Sequence, residues 1–301
     1  MKIGFSSLAC PEWGLEMILV KAGEYGFDGV ELHGLAGEAN LPDMSELASD
    51  PGATRQRFAS ANVELVCLGS DIRLDGRSET ERARQREALE AYIGLASSLG
   101  CPYVRIAAGE VQRRERREKT LVRIAGELRR MAPFAGEKRV TILIENGGDF
   151  CGSADLWYVC DIASHPAVRV CWNPCTALGI GERPTISVPR LGTKIGLFDV
   201  CDGTFDENGL MTGFKIPGTG DVELERAIEL LRGVVYRDYL MFEWPTAGGR
   251  PLAPPDEVLP QAHSFLRSCV DRKQPVLTAY KGDKRPTKLA SPPPQPSTRP
   301  V

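Results

Sequence analysis

Short β-branched runs alternate with amphipathic stretches along most of the chain, the pattern of parallel strands joined by crossover helices. Strands are expected at residues 2–5, 29–32, 64–68, 103–107, 140–144, 169–172, 195–201 and 239–242. Helical periodicity fills most of the gaps, at 12–25, 43–61, 79–99, 113–134, 154–163, 221–232 and 255–270. Between the sixth and seventh strands the signal at 185–191 is weak, because Pro184 and Pro189 each remove a backbone donor. Ser78 followed by Glu81 forms a capping box, and Gly26 and Gly100 suit the left-handed residue that closes a helix. Eight evenly spaced units with no GxGxxG turn after the first strand favour one α/β fold, a single (β/α)8 TIM barrel, over a doubly wound sheet. The barrel is expected over residues 1–272. From 273 to 301 the periodicity is lost and prolines cluster at 292–294, so a disordered Pro-rich tail is expected.

Composition narrows the partners. At 301 residues and 42% hydrophobic, the chain can bury one large core. Lys+Arg 37 against Asp+Glu 40 leaves a net charge of -3, so no positive field gathers phosphate backbones and nucleic acid is not expected. No run of about 18 apolar residues occurs, so no membrane span is expected. The polar start MKIGFSSLAC lacks the apolar core of a secretory signal, which makes the cytoplasm the expected location. Nine scattered cysteines without a CxxC pair suit reduced thiols better than a disulfide framework. A homo-oligomer is compatible with all of this.

In a barrel of this kind, chemistry sits at the C-terminal ends of the strands, on side chains that alternate inward. Glu145 ends the apolar run Thr141, Ile142, Leu143, Ile144, and Glu243 ends Leu240, Met241, Phe242. A carboxylate placed there must be paired, hydrated or bound to a cation. Glu31 and His33 come after Gly29-Val30 at the end of the second strand, Asn173 follows the sixth, and Asp199, Cys201 and Asp202 lie on the seventh. Glu145, Asn173, Asp199 and Glu243 share inward parity, and four oxygen donors from four strands suit a hard divalent ion, Mg²⁺ or Mn²⁺.

Gly26-Phe27-Asp28-Gly29-Val30-Glu31, Ile144-Glu145-Asn146, Pro217-Gly218-Thr219-Gly220-Asp221 and Phe242-Glu243 resemble the sugar phosphate isomerase/epimerase family, the xylose isomerase-like barrels, over about residues 1–270. That family includes ketose 3-epimerases, inosose dehydratases and hydroxypyruvate isomerases. The resemblance implies a divalent metal held by Glu, Asp, His and Glu on strands five to eight. Glu145 and Glu243 match. The strand-six motif, in the family Asp-Pro-x-His after an aromatic residue, reads Trp172-Asn173-Pro174-Cys175-Thr176, and the strand-seven His-x-Lys-Asp reads Asp199-Val200-Cys201-Asp202. Asn173 and Asp199 thus stand where Asp and His are expected. Three histidines are too few for the multi-zinc endonucleases of the same superfamily.

The implied reaction is isomerisation or epimerisation of a sugar or polyol through a metal-assisted enediolate, with Glu145, Glu243 and His33 as acid/base groups. A lyase using the same intermediate, or a non-catalytic sugar-binding barrel, is the alternative. Substrate contacts are expected from Trp13, Glu31, Arg105, Trp172, Thr176, Cys201 and Trp244. Each has a plainer role open to it: Glu31 pairing with Arg105, the tryptophans as core, Cys201 as a small buried hydrophobe. Gly218, Gly220, Gly248, Gly249 and Arg250 would leave room for a phosphate after strands seven and eight.

Overall fold

The computed structural model describes residues 1–244, 246–247 and 250–272. The expected tail at 273–301 and the two glycines Gly248 and Gly249 lie outside these residues. Eight parallel strands close into a barrel: β1 (Lys2–Ser6), β2 (Gly29–Leu32), β3 (Glu64–Arg73), β4 (Tyr103–Ala107), β5 (Thr141–Glu145), β6 (Val168–Trp172), β7 (Ile195–Val200) and β8 (Tyr239–Phe242). Each strand pairs with its neighbours in sequence, and β1 meets β8 in the register Lys2 with Tyr239 to Phe5 with Phe242. The crossovers carry α1 (Leu15–Tyr25), α2 (Pro51–Ala61), α3 (Glu79–Leu99), α4 (Arg117–Glu137), α5 (Ser153–Ala163), α6 (Pro184–Leu191) and α7 (Leu224–Gly233), and α8 (Pro255–Asp271) follows β8.

Local chemistry accounts for the element ends. Gly26 closes α1 at φ 81°, a left-handed conformation that a side chain would strain. The Ser78–Glu81 capping box forms at the start of α3. The single helix expected over 43–61 is instead split into Ser45–Ala48 and α2, because Pro51 takes the first helical turn and Asp50 accepts from the Ala53 amide at 2.9 Å. The weak stretch at 185–191 is a helix, since Pro184 occupies a first-turn position where no donor is needed.

β7 ends at Val200, one residue short of the strand expected at 195–201, and the chain then forms an element that was not expected. It is an antiparallel hairpin of Asp202–Phe205 with Met211–Lys215, and a short helix, Pro174–Leu178, follows β6 directly. Two apolar layers result. One fills the space between strands and helices; the other, inside the barrel, is made of Val66, Cys67, Tyr103, Leu143, Cys171, Leu197, Tyr239 and Met241. No described helix is long and apolar enough to cross a membrane.

Candidate active site

The inner apolar layer sets the positions of the polar one above it. Strand side chains repeat every second residue, so two residues beyond Tyr103, Leu143, Cys171, Leu197 and Met241 come Arg105, Glu145, Asn173, Asp199 and Glu243. These groups rest on a dry floor near the C-terminal mouth. Glu31, at the same height on β2, joins them.

Arg105 is the hub. Its side chain is buried, and its Nη2 donates to Glu31 Oε1 at 2.6 Å and lies 2.8 Å from His33 Nδ1. Its Nη1 bonds Glu145 and lies 3.6 Å from both Asp199 Oδ2 and Glu243 Oε1. Burial opposes the charge on this guanidinium, but Glu145, Glu31, Glu243 and Asp199 together outweigh it and hold the proton firmly. Ser6 Oγ donates to Glu31 Oε1 at 3.0 Å, and Ser70 Oγ donates to the Arg105 carbonyl at 2.7 Å.

The hydrogen bonds fix the state of His33. A guanidinium only donates, so His33 Nδ1 accepts from Arg105 and the ring proton sits on Nε2, 3.5 Å from the exposed Asp71 carboxylate. Asp71 is held below its usual range, chiefly by this contact with His33. Gly69 makes room for the pair: a Cβ there would stand 2.8 Å from the His33 ring and 2.9 Å from Glu31 Oε1. Ser6 and Gly69 carry no catalytic signature in the sequence. Only the parity of Gly69, two residues above buried Cys67, pointed to the mouth.

Asn173 serves a different purpose from the expected one. Its Oδ1 accepts from the Cys175 and Thr176 amides at 3.0 and 3.3 Å, capping the helix Pro174–Leu178, while its Nδ2 faces Glu243 at 3.4 Å. Asn146 clamps the Asn173 backbone from both sides, accepting from its N–H at 2.7 Å and donating to its carbonyl at 2.9 Å. Asn173 therefore offers the mouth a donor, and its oxygen is committed elsewhere.

Asp199 and Glu243 are both perturbed. Burial pushes the Asp199 carboxyl well above the usual range against the pull of Arg105, and its Oδ2 accepts from the Cys171 thiol at 3.1 Å. Burial likewise pushes Glu243 up to about 7, with Arg105 opposing and Glu145 adding to the rise. Glu145, Asp199 and Glu243 bring one oxygen each within 4.8 Å of one another, a spacing that draws cations. A cation is already there. Arg105 Nη1 reaches all three carboxylates, its other nitrogen is pinned by Glu31 and His33, and Asn173 turns its oxygen away. As arranged, these residues do not fit the divalent ion that the strand pattern implies.

The family model described as xylose isomerase-like TIM barrel matches residues 19–269. The chain belongs to that family. No curated protein matches the sequence significantly. Among solved structures, a D-psicose 3-epimerase in the presence of D-fructose is 17% identical, with TM-score 0.74 over 90% of this chain and 99% of that one. The IolI protein with a binding zinc atom is 16% identical, with TM-score 0.78 over 90% and 98%. The probable 3-DHS dehydratase AsbF from Bacillus anthracis is 16% identical, with TM-score 0.72 over 89% and 99%. At these identities the likeness is one of fold.

Within this xylose isomerase-like barrel the remaining expected contacts divide by depth. Trp172 is fully buried, and Trp244 is buried beside Phe242 with ring centroids 6.1 Å apart, so both are core. Cys201 is buried against Cys175, and that contact and burial push its thiol well up, away from the reactive thiolate. Trp13 and Thr176 are half-buried, and Thr176 meets Asn173 through its amide. The glycines after β7 are spoken for as well. The Gly218 and Gly220 amides donate to Asp202 Oδ2 at 2.9 and 3.0 Å, so they do not point at a phosphate.

Proposed function

We propose that this chain is an isomerase or epimerase that acts on a sugar or related polyol by proton transfer through an enediolate. The observation that carries this reading is a pair of carboxylates, Glu145 and Glu243, at the mouth of the barrel on one guanidinium, with Glu243 pushed up to about 7. Glu145 takes the proton from the carbon beside a carbonyl, the C–H electron pair becomes the enediolate double bond, and the carbonyl oxygen takes the negative charge. Protonated Glu243 returns a proton. Delivery to the opposite face of the same carbon gives the epimer, and delivery to the neighbouring carbon gives the aldose or ketose isomer. Both glutamates are part-exposed, so a small ligand can reach them. The Mn²⁺ or Mg²⁺ expected from the sequence does not fit the arranged site, and no step here passes through it.

A lyase is favoured by one observation of its own. His33 carries its proton on Nε2 at the rim, where it could protonate a departing β-hydroxyl of the same enediolate. The deciding experiment incubates the protein with a panel of ketoses and inososes in deuterated water and follows C–H exchange and new products by NMR. Exchange is expected, lowered roughly 100- to 10,000-fold by Glu145→Gln. Water loss instead of epimer formation would select the lyase. Exchange that ignores the Glu145 substitution would remove Glu145 as the base, and no exchange across the panel would leave a binding barrel.

A further inference from the structure

We propose that Arg105 is the resident cation of this site and takes the place of a divalent metal ion. The three carboxylates that could hold an ion are Glu145, Asp199 and Glu243, and Arg105 Nη1 reaches an oxygen of each, bonded to the first and 3.6 Å from the other two. A divalent ion needs those oxygens at roughly 2.0–2.6 Å, which would put it in the same hollow as a guanidinium nitrogen. Two cations in contact repel strongly at low dielectric.

The guanidinium cannot simply swing aside. Its stem rises from the middle of β4, it is buried, and Nη2 is held by Glu31 at 2.6 Å and His33 at 2.8 Å. Glu31 is itself fixed by Ser6. A single ion would have to displace Arg105 and leave Glu31 buried without its ionic partner, a strongly unfavourable arrangement.

Two further residues fit a site arranged around arginine. Asn173 directs an N–H donor at Glu243 and spends its oxygen on a helix cap, so it adds no cation ligand. Asp199 receives a thiol donor from Cys171 and, among the described residues, makes no hydrogen bond to an imidazole. The charges that a metal would offset are offset here by the protein's own side chain.

The chemical use of this cation rests on the isomerase reading above. A guanidinium beside Glu145 and Glu243 has the position to stabilise an enediolate oxygen by charge and hydrogen bonding, the task a metal would perform as Lewis acid. The electron pair released by C–H cleavage then ends on an oxygen facing Arg105, with the proton on Glu145, and the reverse transfer restores both.

Metal binding tests the assignment without any substrate, so it can fail while the isomerase reading stands, and the reverse. The full chain, purified without added metal or chelator, is analysed by elemental mass spectrometry and then titrated with Mn²⁺ under electron paramagnetic resonance. The wild type is expected to carry well under one equivalent of metal and to show no saturable Mn²⁺ site. Near one equivalent, lost in Glu145→Gln with Glu243→Gln, would overturn the proposal, and this arm needs no Arg105 variant to fold. Arg105→Met, with folding verified by near-ultraviolet circular dichroism, is expected to gain a saturable Mn²⁺ site, roughly two orders of magnitude tighter than any residual binding to wild type. A folded Arg105→Met that binds no better than wild type would also overturn it. Arg105→Lys keeps the charge and should stay metal-free; Mn²⁺ binding there equal to that of Arg105→Met would count against charge as the cause.

Discussion

Asp199 and Asp202 stand three residues apart, both buried, in surroundings of opposite kind. Asp202 accepts four backbone N–H bonds: Oδ1 from Gly203 and Val222 at 2.9 and 3.1 Å, Oδ2 from Gly218 and Gly220 at 2.9 and 3.0 Å. Asp199 meets a thiol at 3.1 Å and a guanidinium nitrogen at 3.6 Å. A carboxylate saturated with amides is a structural rivet, while one given too few donors stays available to exchange a proton. Asp202 ties the hairpin and the Gly218–Gly220 turn back to β7, and a Cβ at Gly220 would reach Asp202 Oδ1 at 2.3 Å. The motif Pro217-Gly218-Thr219-Gly220-Asp221 is therefore explained by this clasp.

The comparison breaks most visibly in stability. Asp202→Ala strands four amides in a buried turn and should cost on the order of 3–5 kcal/mol in chemical denaturation. Asp199→Asn removes a poorly satisfied carboxyl and should lie within about 1 kcal/mol of wild type. Equal losses for the two would mean that Asp199 is as structural as its neighbour.

The two aspartates also mark what could be read from sequence. The barrel was legible because its strands are short apolar runs set off by helical periodicity, and because glycine or proline punctuates their ends. Parity along β5 and β8 placed Glu145 and Glu243 at the mouth, and Glu31 was matched with Arg105, its observed partner. Parity does not say which cation balances a carboxylate. That depends on where a long side chain from a third strand ends, and Arg105 lies mid-strand in Tyr103–Ala107, where residue type alone suggests a solvated or paired charge. Asn173 misled for a related reason: its place after β6 suits a ligand, but the Pro174 that follows starts a helix whose amides claim its oxygen. The hairpin after Cys201 was not read at all, since the expected strand stopped at 201 and the next expected helix began at 221, although Asp206-Glu-Asn-Gly209 is a turn signal.

Glu243 sharpens the comparison through pH. Its folded value of about 7 lies above the ordinary 4.5, so between those limits the native state keeps a proton that the unfolded chain releases. Stability should therefore fall as pH rises through this window, by an amount on the order of 1–3 kcal/mol. Glu243→Gln should remove that slope and be more stable than wild type at pH 8. A wild-type stability that is flat or rising between pH 5 and 7, once compared with the variant, would mean the carboxyl is ionised in the fold.

Gly69→Ala tests the mouth from the other side. The new methyl meets the His33 ring and Glu31 within 3 Å, against β3 backbone that cannot retreat. A cost of about 1–3 kcal/mol is expected, as for other overpacked sites. Proton exchange should fall by more than this destabilisation explains, because His33 and Glu31 both position Arg105. Unchanged exchange would show that the His33–Arg105 contact is dispensable for chemistry.

The smallest effect belongs to a third kind of carboxylate. Glu115 accepts from Arg123 and from Thr120 Oγ1 at 2.8 Å before α4, away from the mouth, and these bonds, the Arg123 one first, hold it down at about 2. Here the native state releases its proton more readily than the unfolded chain, so the stabilisation is complete above the ordinary value near 4.5 and is lost as pH falls toward 2. Glu115→Gln should cost about 1 kcal/mol at pH 7 and nothing near pH 2. Its slope is opposite in sign to that of Glu243, because Glu115 gained donors on folding while Glu243 chiefly lost water. Measuring both variants across one pH series separates these causes, and a parallel response would show that neither local environment sets the titration.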